Sequence, residues 1–260
     1  MAYKIDMTDQ VVLVTGGAKG VGDGIVQVYL EAGATVEICG RSTPMRLREV
    51  DGRTPHFSPV DVREADQVKG WVDDIGRRRG RIDVVLNNAG GAPYSAFSTA
   101  SPRFHAKVND LNFMSAAYVA LAAHPHLVES HGSMVNITSI SARRPSPGTA
   151  VYGAAKAALE SLTTSLAVEW APEVRVNAVS SGLVETPGSA DHYGDAAQVA
   201  RVAATIPRGV FASPPDIGRA CLFLSSDWAR HVTGAVLNVD GGGEWPAFLQ
   251  HTPNRDEVRS

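Results

Sequence analysis

The chain has 260 residues, a formal net charge of −3 at pH 7 and a sequence pI near 6.2, with 44% hydrophobic and 20% charged residues. This balance belongs to a globular chain able to bury a sizeable core and argues against a disordered or fibrous one. Cations and acids are interspersed at near-zero net charge, which also argues against a dedicated nucleic-acid surface. No apolar run is long enough to cross a bilayer, and Met1–Asp9 lacks the apolar stretch of a signal peptide. The two cysteines, Cys39 and Cys221, lie far apart in apolar segments and offer neither a disulfide framework nor a Cys-based zinc site. A cytoplasmic protein without a metal is the expectation.

In chain order, short Val- and Ile-rich runs alternate with longer amphipathic stretches. Strands are predicted over Val11–Thr15, Thr35–Cys39, His56–Val60, Ile82–Asn87, Ser133–Thr138, Val174–Val179 and Ala235–Val239. Helices are predicted over Gly22–Ala32, Ala65–Arg79, Arg103–Glu129, Thr149–Trp170 and Pro215–Ser226. The strand runs show little polar alternation, as strands buried on both faces do. Alternation repeated this often implies an α/β domain, a doubly wound seven-stranded parallel sheet with helices on both faces. No linker or repeat divides the chain, so residues 1–260 read as a single domain opened by an N-terminal extension, residues 1–8. Ser42–Pro55 is short for a helix plus its connections. Residues 187–214 carry several Gly and Pro and read as a substrate lid, and residues 245–260 as a polar tail. Arg77-Arg78-Arg79 closes a predicted helix and reads as a solvated terminus whose cations complement the dipole. His124, His126 and His131 lack acids at ligand spacing, which makes them a surface cluster rather than a metal site.

The first predicted strand runs straight into Thr15-Gly16-Gly17-Ala18-Lys19-Gly20-Val21-Gly22, which opens a helix. Glycines in that setting let the backbone turn sharply and approach a pyrophosphate, which the N–H groups and dipole of the helix N-terminus receive. Gly16, Lys19, Gly20, Val21 and Gly22 are therefore candidate dinucleotide contacts. An acid at the end of the second strand would bind the ribose 2′-hydroxyl of NAD, but this chain has Gly40, then Arg41 and Ser42. Arg41, with Lys19 on the same side, favours the 2′-phosphate of NADP.

Further along, Tyr152-Gly153-Ala154-Ala155-Lys156 sets a phenol and an ammonium at i, i+4 on one helical face. A phenol ionises at about pH 10, so a nearby cation is needed to make it a base near neutrality. Together these residues resemble the short-chain dehydrogenase/reductase family, in its shorter single-domain branch, from about Asp9 to Gly243. The glycine turn is similar to that branch's cofactor turn. Asp61-Val62 resembles its adenine-contacting pair, and Asn87-Asn88-Ala89-Gly90 its motif after the fourth strand. Ser139, thirteen residues before Tyr152, matches the catalytic serine. Asn112, twenty-two residues after Gly90, fits the helix asparagine better than its neighbour Asn109 does. Leu237–Gly242 resembles the last strand and turn.

The resemblance implies a Rossmann-type fold and an oxidoreductase that interconverts a secondary alcohol and a ketone by hydride transfer, with NADP(H) favoured over NAD(H). It implies Tyr152 as proton donor and acceptor, and Lys156 as the cation that lowers its pKa and holds the nicotinamide ribose. Ser139 would bond the substrate oxygen and Asn112 would hold a water linking Lys156 to solvent. Asn88, Ala89, Gly90, Thr138, Val184 and Thr186 would complete the cofactor site, the last two orienting the carboxamide. Two features depart from the family pattern: Ser181-Gly182 stands where Pro-Gly is usual, and Asp23, expected to point outward, follows the glycine turn. A non-catalytic dinucleotide sensor and an NAD-dependent dehydrogenase remain as alternatives. A mainly apolar pocket is expected from Pro93, Tyr94, Phe97, Ala142, Leu183 and Tyr193. Arg143 and Arg144 are either a solvated loop pair or an anion contact at its mouth. A homo-oligomer, dimer or tetramer, would pack through the long central helices.

Overall fold

The strand runs assemble as their apolar character requires, into one parallel sheet covered on both faces. In the computed structural model, which describes residues 4–189 and 193–251, the strands are β1 (Val11–Thr15), β2 (Thr35–Gly40), β3 (His56–Pro59), β4 (Val84–Asn87), β5 (Ser133–Ser139), β6 (Arg175–Ser181) and β7 (Val236–Val239). Their order is β3-β2-β1-β4-β5-β6-β7, all neighbours parallel. Helices are α1 (Gly20–Glu31), α2 (Ala65–Arg79), α3 (Pro102–Asn109), α4 (Ser115–Ser130), α5 (Ala150–Glu169), α6 (Ala196–Ala203) and α7 (Pro214–Ser225).

Alternate residues of each strand feed two cores. Val12, Val14, Val36 and Ile38 pack under Ile25 and Tyr29 of α1 and Ile217 and Cys221 of α7. Val11, Leu13 and Cys39 pack on the other face under Trp71 and Ile75 of α2 and Val119 and Leu127 of α4. Each predicted strand is present with its ends moved by at most two residues. Met7, from the segment expected to be an extension, is fully buried in the first core, with its N–H bonded to Ala32 O. The segment 187–214, expected to be a lid, contains α6, and residues 247–251 form a 3₁₀ turn. Within these regions, 190–192 and 252–260 lie outside the described residues. Among the described residues no helix is long and apolar enough to cross a membrane.

Two expectations need correction. The stretch 103–129 is not one helix, because residues 110–114 form a π-helical turn between α3 and α4. Carbonyls there accept side-chain donors four residues on: Asn112 Nδ2 to Val108 O at 2.9 Å and Ser115 Oγ to Leu111 O at 2.7 Å. The ladder widens, and Ser115 N bonds Asp110 O instead. The arginine run is not simply solvated either. Arg77 pairs with Asp74, but Arg78 and Arg79 reach Glu37, which is fully buried on β2. Arg78 spans its carboxylate at 3.2 and 3.1 Å, Arg79 Nε bonds it at 2.7 Å, and His56 Nδ1 lies 3.0 Å away.

Replacing that carboxylate tests the cluster. Glu37→Gln keeps the shape but removes the charge two arginines converge on, and should lower the unfolding free energy by about 1–3 kcal/mol in urea denaturation. An unchanged midpoint would mean that the arginines do as well with water.

Candidate active site

β1 and β4 are neighbours, while the chain winds outward from β1 in one direction and from β4 in the other, so a crevice opens at their carboxyl ends. The loop after each strand supplies one wall. Thr15 joins them: its Oγ1 accepts the N–H groups of Asn88 and Ala89 at 3.0 and 2.9 Å. Asn88 Nδ2 in return donates to the carbonyls of Thr15 and Gly16 at 2.9 and 3.2 Å. The side chain of Asn88 thus braces the glycine turn from behind. Gly22 is pressed so tightly there that a Cβ would lie 2.2 Å from Gly16 O. Gly20 takes φ +56°, and a Cβ on it would face open space up to Thr186 Cγ2 at 3.8 Å. No side chain caps the first turn of α1. An uncapped helix N-terminus under a glycine turn, with clear space above it, fits the pyrophosphate of a dinucleotide.

Ser139 ends β5, while Tyr152 and Lys156 lie one turn apart in α5, beside that same edge. Lys156 is buried, its Nζ donating to Ile137 O at 2.7 Å and lying 5.9 Å from the centre of the Tyr152 ring. Loss of water depresses its ammonium to about 8. The same loss of water raises the Tyr152 phenol, against the pull of a Ser139 hydrogen bond. Desolvation thus dominates at Tyr152, while the Lys156 ammonium is turned to a carbonyl. Asn112 sits close by: a Cβ on Gly90 would lie 2.8 Å from Asn112 Oδ1 and 3.4 Å from Lys156 Nζ. Both amide hydrogens of Asn112 are spent on Gly91 O and Val108 O, and Oδ1 accepts Gly91 N. Only a second lone pair of Oδ1 is left for a water.

The remaining candidates divide by which of their atoms face the crevice. Lys19, Arg41 and Ser42 are exposed. Arg41 acts on Asp61, whose carboxyl is held low mainly by its hydrogen bonds to Arg63. The side chain of Val62 is in the core, which leaves its backbone for a ligand. The Thr138 hydroxyl donates to Glu160 Oε1 at 3.0 Å, which leaves its backbone for a ligand. Val184 pairs with Ala212 as an isolated parallel bridge, and Thr186 N donates to Ser189 Oγ at 2.7 Å. Asp23 does not simply face outward but is ion-paired with Arg48 of the segment after β2. At Ser181-Gly182, the glycine lets Asp240 approach, a Cβ on it falling 2.6 Å from the Asp240 Cα.

Beside Tyr152 a shallow, open cleft is lined by Pro93, Ser95, Phe97, His105, Val108 and Thr149 among others. Of the expected pocket residues, Pro93 and Phe97 reach it. Tyr94 is exposed and lies over Gly148, and Tyr193 packs on Phe211 with ring centres 5.1 Å apart. Of the histidines, His124 packs on Trp170 at 4.5 Å and His126 against Gly76. Sequence reasoning missed Thr15, Ile137 and Ser189. Thr15 left a signal, a hydroxyl closing an otherwise apolar strand just before the glycines. The Ile137 carbonyl left none, since any residue would supply it.

The chain matches the family model described as enoyl-(acyl carrier protein) reductase over residues 16–244. It is 34% identical to a 3-oxoacyl-[acyl-carrier-protein] reductase of Chlamydia muridarum, over 91% of this chain and 98% of the relative. It is 36% identical to a 4-formylbenzenesulfonate dehydrogenase of Comamonas testosteroni, over 92% and 99%. Ligand-free aldohexose dehydrogenase of Thermoplasma acidophilum superposes with a TM-score of 0.86 at 30% identity, covering 92% of this chain and 96% of that one. With this fold and this breadth of similarity, the chain belongs to the short-chain dehydrogenase/reductase family of NAD(P)-dependent oxidoreductases acting on CH–OH groups.

Proposed function

We propose that the protein is an NADP(H)-dependent carbonyl reductase or alcohol dehydrogenase in which Tyr152 moves the proton. The observation that carries this reading is the convergence of Ser139, Tyr152 and Lys156 at the sheet edge, beside an uncapped glycine-turn helix. Gly16, Gly20, Val21 and Gly22 receive the pyrophosphate, and Lys19, Arg41 and Ser42 the 2′-phosphate. Asp61 and the backbone of Val62 flank the adenine. Ala89, Gly90 and the backbones of Asn88 and Thr138 line the middle of the dinucleotide, and Val184 and Thr186 meet its carboxamide. The bound nicotinamide supplies a hydride in reduction and takes one in oxidation.

Ser139 hydrogen-bonds the substrate oxygen and stabilises the charge that grows on it. Tyr152, kept protonated by desolvation, gives its proton to that oxygen as the carbonyl carbon gains the hydride, a contribution of ~10²–10⁴ in rate. Lys156 then stabilises the phenolate, and a water held by the free lone pair of Asn112 Oδ1 returns the proton. The three relatives act on unlike substrates by name, a carrier-bound oxoacyl group, an aromatic sulfonate and an aldohexose, so the substrate must be read from this chain's own walls. Here α6 and the loop around it form the lid. Leu121 on α4 and Val168 on α5, exposed by 78% and 82%, support assembly of copies through those helices.

Tyr152→Phe should cut carbonyl reduction by about 10²–10⁴ while leaving NADPH affinity within a few-fold, as read by stopped-flow turnover and nucleotide fluorescence titration. A variant still fully active would remove Tyr152 from its role. Arg41→Asp should weaken NADPH binding by about tenfold or more relative to NADH, and equal affinities in the parent chain would favour NAD instead. Lys156 gives a pH test. Its folded pKa of about 8 lies below the ordinary 10.5, so between those values the unfolded chain holds the extra proton. The burial penalty is complete below pH 8 and lifts as pH rises toward 10.5. The stability advantage of Lys156→Met over the parent should therefore shrink across that range by on the order of 3 kcal/mol in chemical denaturation. A flat difference would mean that the ammonium is better solvated than its surroundings imply.

A further inference from the structure

Arg143 and Arg144 leave the same short 3₁₀ turn behind Ser139 but are used differently. Arg143 is committed to the frame, with Nε on Glu160 Oε2 at 3.0 Å and Nη1 on Asn238 Oδ1 at 3.1 Å. Arg144 instead reaches across the carboxyl edge to Glu244, Nη1 to Oε1 at 2.5 Å. Glu244 follows the glycine turn after β7, which lies over the end of β6 through the close approach of Asp240 to Gly182. The clasp thus joins two walls of the crevice above the edge that holds Ser139 and Tyr152. Arg144 also pulls down the Tyr193 hydroxyl that burial raises, and Tyr193 in turn raises Tyr152. Guanidinium, Tyr193 and Tyr152 are within electrostatic reach of one another in series.

The partners of this guanidinium are incomplete. Its Nε is buried and has no hydrogen-bond acceptor among the described residues. Its ion pair with Glu244 joins two side chains exposed by 38% and 34%, an arrangement with which water competes and which is cheaply exchanged. A desolvated cationic donor without an acceptor is costly, and Glu244, bonded through Nη1 alone, does not relieve it. Once Glu244 is displaced, the freed guanidinium can turn its Nε edge to an incoming carboxylate, which then satisfies both nitrogens on that side together.

We propose that Arg144 is a specificity-determining anchor for a carboxylate on the substrate, and that Glu244 is the resting counter-ion this carboxylate displaces. The substrate class is then an apolar oxo acid or hydroxy acid, its acid group remote from the reacting carbon and its body lying against Tyr193 and Phe211. This rests on the oxidoreductase reading above. Only the binding group is new, and the redox step remains that of an uncharged ketone.

The test uses matched pairs, aryl and alkyl oxo acids such as 4-acetylbenzoate against their methyl esters, with NADPH consumption as the readout in the full chain. The acid should exceed its ester in kcat/KM by about tenfold or more, mainly through KM. Arg144→Leu should bring that ratio to about one, and Arg144→Lys should keep part of it, since an ammonium retains charge but not the fork. Glu244→Gln should lower KM for the acids. Esters reduced as well as acids by the parent chain would overturn the anchor. So would an acid-to-ester ratio untouched by Arg144→Leu, the result expected of a purely structural clasp. Should neither acids, esters nor simple neutral ketones be turned over while NADPH binds, the oxidoreductase assignment fails, and the anchor with it.

Discussion

A positive charge held beneath the sheet edge is the constraint around which the site is built. Lys156 is 3% exposed, and among the described contacts its ammonium has the Ile137 carbonyl and the face of the Tyr152 ring. Removing water from this corner pushes both ionisable groups toward neutrality, the lysine downward and the tyrosine upward. The same low polarity strengthens their attraction once the tyrosine ionises, so the pair is costly to charge one at a time and far less costly to charge together. A phenol so placed keeps its proton until negative charge forms on a neighbouring oxygen, the behaviour wanted of an acid in carbonyl reduction.

The scaffold can carry that charge because backbone and buried amides fix every approach to it. A buried chain from Asn87 Nδ2 to Asn136 Oδ1, and from Asn136 Nδ2 to Thr163 Oγ1, both at 2.9 Å, ties β4 to β5 and β5 to α5. It sets the helix that bears Tyr152 and Lys156 against the strand that bears Ser139. From the other side, the π turn hands Asn112 to Gly91, which locks the loop after β4 beside the ammonium. Thr15 locks the start of that loop to the glycine turn. Nucleotide wall and proton-transfer group are thereby parts of one hydrogen-bonded frame. A shift in either would be felt in the other.

What the sequence reveals of this follows a physical line. Apolar runs report burial, so the seven strands and the doubly wound sheet were legible, as was the i, i+4 placement of Tyr152 and Lys156. Spacing, however, locates a residue along the chain and says nothing of which way its side chain turns. Thr138 and Asn88 were therefore read as cofactor contacts with no sign that the Thr138 hydroxyl bonds Glu160 or that the Asn88 amide braces the glycine turn. Arg78 and Arg79 looked solvated because their partner, Glu37, lies some forty residues earlier on a strand that otherwise reads as apolar. The π turn was hidden for a related reason. Nothing in the composition of 103–129 marks the widened turn, which the side-chain bonds of Asn112 and Ser115 accompany.

Above the edge the energetics change character. None of the residues of α6 is buried, and its start is held by its own capping box between Asp195 and Gln198. The neck of that loop is closed by two bonds, Glu185 N to Ala212 O and Ala212 N to Leu183 O, at 2.9 and 3.0 Å. The clasp between Arg144 and Glu244 is half open to water. Contacts of this kind can be exchanged at little cost to the fold, whereas the frame below cannot move without exposing core. Such a division lets the walls above the edge rearrange while the Tyr152–Lys156 pair stays fixed. A shared sheet is therefore compatible with the unlike substrates named for its relatives, a carrier-bound oxoacyl group, an aromatic sulfonate and an aldohexose, since loops and exposed side chains above the edge can differ without disturbing the frame below.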